Sequence, residues 1–145
     1  MADWDHRFME LARRVATWSK DKSRQVGCVI VGPDNVVRAI GFNGFPRGLN
    51  DDDEARHQRP AKYLWTEHAE RNAIYTAARN GVALAGTRMY LPWFPCVDCA
   101  RAIAQSGIVE LNVNAPDLSD PQWGDSFGVS IELLDEAGVR VRHLE

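Results

Sequence analysis

Two short motifs, His68-Ala69-Glu70 and Pro95-Cys96-Val97-Asp98-Cys99, restrict this chain more than any other part of it. His68, Cys96 and Cys99 offer one nitrogen and two sulfur donors, a set suited to tetrahedral zinc. A fold that uses them must bring two separate segments to one point. Three protein ligands leave a fourth position open for water, as a catalytic zinc requires and a structural zinc does not. Glu70 lies two residues beyond His68, near enough to share such a site without being a ligand. A carboxylate there can accept a proton from bound water and pass it on. A lone C-x-x-C also occurs in redox pairs and in halves of structural zinc sites. The redox reading fits poorly, because the motif does not open a thioredoxin-like βαβ pattern. A closed four-ligand site needs another Cys or His, and none of Cys28, His6, His57 and His143 stands at ligand spacing.

Hydrophobic periodicity supplies the elements around these motifs. Apolar residues from Phe8 to Trp18 recur at helical spacing, which predicts an amphipathic helix over residues 5–19. A polar loop follows over 19–24, then a buried strand over 26–31. Gly32-Pro33-Asp34-Asn35 is turn chemistry, so residues 36–42 form the second strand of an antiparallel hairpin. Residues 43–60 read as one long loop with a solvated acidic run over 51–54. A helix is expected over 66–80, with Thr66 as N-cap and Gly81 as its stop, which places His68 and Glu70 in its first turn. A strand over 87–91 leads to a helix over 97–106, so the cysteines stand at a helix N-terminus, where the dipole favours thiolate. A strand over 108–113, a helix over 125–136 and a strand over 139–144 complete the chain. Alternating strand and helix implies parallel pairing in this half. The expected fold is α/β, a three-layer α/β/α arrangement around one five-stranded mixed sheet, in a single domain over residues 1–145.

Charge and cysteine content narrow the partners. A net charge of −3 argues against a broad basic surface for polymeric nucleic acid but leaves room for an anionic small molecule. No stretch is long and apolar enough to span a membrane, and the charged residues 1–10 are unlike a signal peptide. Three cysteines, two of them in the motif, do not form a disulfide framework; Cys28 reads as a buried core thiol, and a cytoplasmic setting fits.

The order H-x-E followed by P-C-x-x-C is the signature of zinc nucleobase deaminases. Further segments sharpen the likeness: Ser19-Lys20-Asp21 with Ser23, Gln25-Val26-Gly27, Gly41-Phe42-Asn43-Gly44-Phe45-Pro46-Arg47-Gly48, His68-Ala69-Glu70-Arg71-Asn72-Ala73-Ile74, Phe94-Pro95-Cys96-Val97-Asp98-Cys99-Ala100 and Gln105-Ser106-Gly107-Ile108. On these residues the chain resembles the deoxycytidylate (dCMP) deaminases of the cytidine deaminase-like superfamily. The resemblance covers roughly the first three quarters of the chain and fades after Val113. Trp123-Gly124-Asp125-Ser126-Phe127 stands where recognised members carry a His- and Asp-containing segment that helps shape the substrate pocket.

The resemblance implies hydrolytic deamination of dCMP to dUMP and ammonia. Zinc is held by His68, Cys96 and Cys99 and activates the attacking hydroxide, and Glu70 is the proton shuttle. It also implies a homo-oligomer, often a hexamer, and control by deoxynucleoside triphosphates. Asn43 is expected to bond the sugar or base, and Phe94 to wall the base. Ser23, Arg24 and Arg47 are expected to meet a 5′-phosphate, with Arg56, Arg59 and Lys62 as weaker candidates. The five Trp residues read as core or interface rather than substrate platforms. Two alternatives stand beside this one. The substrate is another nucleoside, a free base or a modified base, the tRNA adenosine being disfavoured by the acidic charge. Or the domain is a zinc-binding regulatory module without turnover, which leaves Glu70 without a use.

Overall fold

The structure, a computed structural model, describes residues 3–144. Helix α1 (Trp4–Ala16) is capped by Asp3, whose carboxylate accepts the His6 N–H. Strands β1 (Gly27–Val31) and β2 (Val37–Phe42) form the expected antiparallel hairpin, and Asn35 takes the left-handed conformation that its turn demands. Three α/β steps follow: α4 (Ala69–Arg79) into β3 (Arg88–Leu91), α5 (Val97–Gln105) into β4 (Glu110–Val113), and α6 (Gly124–Glu136) into β5 (Arg140–His143). The strand order is β2-β1-β3-β4-β5, with β3, β4 and β5 parallel and β1 antiparallel to both its neighbours. The mixed five-stranded sheet is therefore as expected.

Alternation along the strands divides the core into two layers. Val29, Val31 and Tyr90 face α1 and pack on Phe8, Met9 and Ala12. Cys28, Ile30, Met89, Leu91, Leu111 and Val113 face the opposite way, against α4, α5 and α6. Helices thus cover both faces, and Cys28 is the fully buried thiol that the sequence implies. Helix α4 meets the sheet through Ala69, Ala73 and Ala77, one small residue per turn, and so lies close to β2.

The long loop expected over 43–60 departs from expectation in carrying helical structure that continues to Thr66. This stretch contains two short helices, α2 (Glu54–His57) and α3 (Lys62–Trp65), folded around Phe45, which stacks on His57 and tilts against Trp65. Thr66 closes α3 rather than opening α4; the N-cap of α4 is His68 itself. The acidic run is not merely solvated. Lys20 pairs with Asp51 and Asp52, Lys22 pairs with Glu54, and Asp53 caps α2. Trp18 lies past the end of α1, half-exposed against the edge of Phe42.

A polar network ties the two ends of the chain across the α1 face. Asp5 accepts from the Tyr90 hydroxyl at 2.5 Å and from Arg142 Nη2 at 2.8 Å. Burial pushes the Asp5 carboxyl up, but the bonds from Arg142 and Tyr90 outweigh it and hold it below its ordinary value. A carboxylate depressed in the folded state stabilises above its unfolded pKa, and that stabilisation is lost as pH falls through the folded value. Asp5→Asn is therefore expected to lower the melting temperature by roughly a few degrees at pH 7. The gap to the parent should close as pH falls below about 4. A gap independent of pH, followed by thermal melts across that range, would contradict the assignment.

Candidate active site

His68 and Cys96 hold equivalent positions. Each is the N-cap of its helix, each has extended backbone, and neither uses its side chain to cap. The two side chains are thereby left to meet between α4 and α5, and Cys99 joins them from the first turn of α5. His68 Nδ1 lies 3.4 Å from Cys96 Sγ and 3.4 Å from Cys99 Sγ, and the three donor atoms fall within 4.8 Å of one another. Tetrahedral zinc with its usual bond lengths would place nitrogen and sulfur about 3.5 Å apart. The donor set and its spacing therefore fit zinc. The hydrogen bond from Cys99 and the nearby His68 pull Cys96 down to about 4 against the effect of burial, the direction that favours a metal-binding thiolate. That same bond, with burial, pushes Cys99 up.

Glu70 sits in the first turn of α4, almost fully buried, and lines the cavity beside His68 and Cys96. Burial raises its carboxyl above the ordinary value, and the charge of Cys96 adds to this while His68 opposes it. The cavity measures about 410 Å³, a size common for small-ligand sites. Arg71 reaches out of the same helix turn, bonding Glu67 at 2.6 Å and approaching Asp98 at 3.7 Å. It bridges the segments that carry His68 and the two cysteines.

Asn43, Ser23 and Arg24, which the resemblance makes candidates for substrate contacts, line the cavity. Asn43 has a local task as well. Its Oδ1 accepts the Val26 N–H and its Nδ2 donates to the Arg24 carbonyl, both at 2.9 Å. One amide hydrogen and one lone pair remain for a ligand. Asp21 accepts the N–H groups of Ser23 and Arg24 and pairs with Lys62 at 3.2 Å, so the 19–25 loop is shaped from within. Arg24 lays its guanidinium 3.9 Å above the Trp93 ring.

Two expected contacts fall elsewhere. Phe94 is buried in the core between Phe127 and His143 and does not line the cavity; the turn into Pro95 points it inward, beneath the sheet's end. Arg47 is exposed and donates to Thr76 on the outer side of α4. Arg56 stacks on Trp65 away from the cavity, whereas Arg59 and Lys62 do line it. The aromatic walls are instead Tyr63, Trp93, Trp123 and Phe127, so two of the five Trp residues face the cavity rather than serving only as core or interface. Trp93 lies two residues before Pro95, next to Phe94, and could have been weighed beside it on that ground. Trp123 stands edge-on to His68, 5.8 Å between ring centroids, and no periodicity marks it.

Comparison with known proteins agrees with this geometry. Residues 2–115 match the model of the cytidine and deoxycytidylate deaminase zinc-binding region. An uncharacterized deaminase from the luxG 3′ region of Aliivibrio fischeri is 40% identical over 99% of this chain and 95% of its own length. Human deoxycytidylate deaminase is 40% identical over 97% of this chain and 79% of its own. The crystal structure of dCMP deaminase from the cyanophage S-TIM5 in complex with dCMP and dUMP superposes with a TM-score of 0.77, at 25% identity, covering 96% of this chain and 95% of that one. Fold, donor set and sequence match thus agree, and the chain belongs to the zinc-binding cytidine and deoxycytidylate deaminase family.

Proposed function

We propose that this chain is a single zinc-dependent deaminase domain that converts dCMP and water to dUMP and ammonia. The reading rests on one observation above all: His68, Cys96 and Cys99 converge at zinc spacing on a cavity into which the buried Glu70 also opens. The substrate is taken from the relatives, several of which are deoxycytidylate deaminases.

His68, Cys96 and Cys99 would hold the zinc, which when bound lowers the pKa of a water toward neutrality. Glu70 accepts the proton that the attacking water releases as its oxygen bonds to C4 of cytosine. It delivers that proton to ring N3, then takes the remaining proton from the hydroxyl now on C4 and hands it to the departing amine as the C4–N bond breaks and the C4 carbonyl forms. Burial keeps Glu70 shielded from bulk solvent, so its proton is spent on the substrate. Asn43 offers its remaining amide hydrogen to the sugar or base, and Ser23 and Arg24 offer donors to the 5′-phosphate, with Arg59 and Lys62 beside them. The reading includes a cytoplasmic homo-oligomer. None of the three cysteines is in a disulfide, and among the described residues no helix is long and apolar enough to cross a membrane.

Ammonia release from zinc-loaded protein, over dCMP, CMP, deoxycytidine, cytosine, guanine and adenosine, tests the proposal. Preferred turnover of dCMP supports it. Turnover of a free base or nucleoside without dCMP would keep the site and reassign the substrate. One zinc per chain with no turnover would favour the binding-module reading. Within this scheme Arg24→Ala should raise KM for dCMP by about 10- to 100-fold, the worth of a charge-assisted hydrogen bond. It should alter deoxycytidine turnover far less. Equal losses on both substrates would place Arg24 outside the phosphate site.

A further inference from the structure

The N-terminus of α5 carries a conflict. Its N-cap, Cys96, cannot cap with its own side chain, because the sulfur faces His68 and Cys99. The amides of the first turn need partners all the same. One is supplied from another helix: the Val97 N–H donates to Ser126 Oγ at 2.7 Å, a residue in the first turn of α6. The same turn of α6 reaches the other ligand-bearing helix, because Trp123, the N-cap of α6, stands edge-on to His68. It is also held firmly at its base. A Cβ on Gly124 would come within 2.4 Å of the Leu118 carbonyl oxygen, so only glycine lets the helix begin so close to that loop.

We infer that Ser126 is a positioning residue that fixes the Cys96–Cys99 turn from α6. Its hydroxyl holds the peptide directly after Cys96, and with it the direction from which that sulfur approaches the metal. The inference rests on the assignment of His68, Cys96 and Cys99 as zinc ligands. It gives a role to a segment that lies outside residues 2–115, the part matched by the family model. Bonds that orient a ligand govern how long the metal stays and how symmetrically it is held, more than whether the chain folds.

The test uses full-length protein loaded with zinc, and separately with cobalt, in four forms: parent, Ser126→Ala, Ser126→Thr and Ser130→Ala. Ser130 sits one turn along α6, and its hydroxyl bonds the Ser126 carbonyl, so its removal perturbs the same helix without touching Val97. Zinc transfer to a chromogenic chelator should be about 10-fold faster in Ser126→Ala, the scale of effect when a ligand's supporting bond is lost. The thiolate-to-cobalt absorption should shift in that variant as well. Ser126→Thr, which keeps the hydroxyl, should restore both, and Ser130→Ala should match the parent in both even if it melts earlier. Parent-like zinc release and cobalt spectrum in Ser126→Ala would overturn the inference, as would equal acceleration by Ser130→Ala. A parent protein that holds no zinc would instead overturn the ligand assignment, and the inference with it.

Discussion

Glu70→Gln is expected to lose about 1,000-fold or more in turnover while keeping one zinc per chain, because general acid–base catalysis contributes about 10²–10⁴ and the proposed mechanism gives Glu70 more than one proton transfer. In energy that is about 4–5 kcal/mol of lost transition-state stabilisation. The substitution suits this test because it changes almost nothing else. Glutamine has the shape of the carboxylate, and the site buries the side chain to 3% exposure. Burial disfavours the charged carboxylate, so a neutral amide removes a cost rather than adding one. Thermal stability should not fall, and metal content by plasma emission should be that of the parent. Retained zinc with turnover within about tenfold of the parent would reduce Glu70 from proton shuttle to a buried bystander. Lost zinc would show instead that Glu70 supports the ligands.

The site was legible where chemistry is local and hidden where it depends on distant contact. His68, Glu70, Cys96 and Cys99 could be singled out together from spacing, because zinc ligation restricts residue types, although the start of α4 was read two residues early, at Thr66 rather than His68. The sheet was legible for a similar reason: a hairpin followed by alternating strands and helices admits few arrangements. Phe94 and Trp93 show the limit. They are adjacent aromatics before the same Pro, one in the core and one on the cavity wall, and only the path of the turn decides between them. Lys62 was weighed as a phosphate contact and does line the cavity, but its pairing with Asp21, a partner far away in sequence, could not be foreseen. Residues 51–54 read as a solvated run because their cationic partners, Lys20 and Lys22, lie across a loop that the sequence cannot fold on paper. Ser126 is hardest of all to foresee, because a hydroxyl in one helix caps another only after both have docked.

Replacing two glycines by alanine should give effects of opposite sign, and the difference reports how the catalytic helix is held. Gly41 lies in β2 directly beneath α4. A Cβ there would stand 2.4 Å from the Ala73 nitrogen and 2.5 Å from the Ala69 carbonyl oxygen, both backbone atoms that no rotamer change can move aside. Helix α4 must then lift from the sheet, taking His68 and Glu70 with it. Overpacking of this kind costs about 3 kcal/mol or more, which in a chain of this size lowers the melting temperature by about 10 °C. A displacement of about 1 Å at the reacting groups would also cost about 100-fold in turnover. Gly128 lies on the exposed side of α6, where a Cβ meets nothing within 4 Å. Alanine there only narrows the unfolded ensemble and improves helix propensity, a gain of up to about 1 kcal/mol. Thermal melts and turnover of the two variants decide the matter. If Gly41→Ala were as stable and active as the parent, the close seating of α4 on β2 would not be what holds the histidine and glutamate in place. If it lost turnover far beyond its loss of stability, the glycine would be acting on the geometry of the site itself, through the one helix that carries both the proposed ligand His68 and the proposed proton shuttle Glu70.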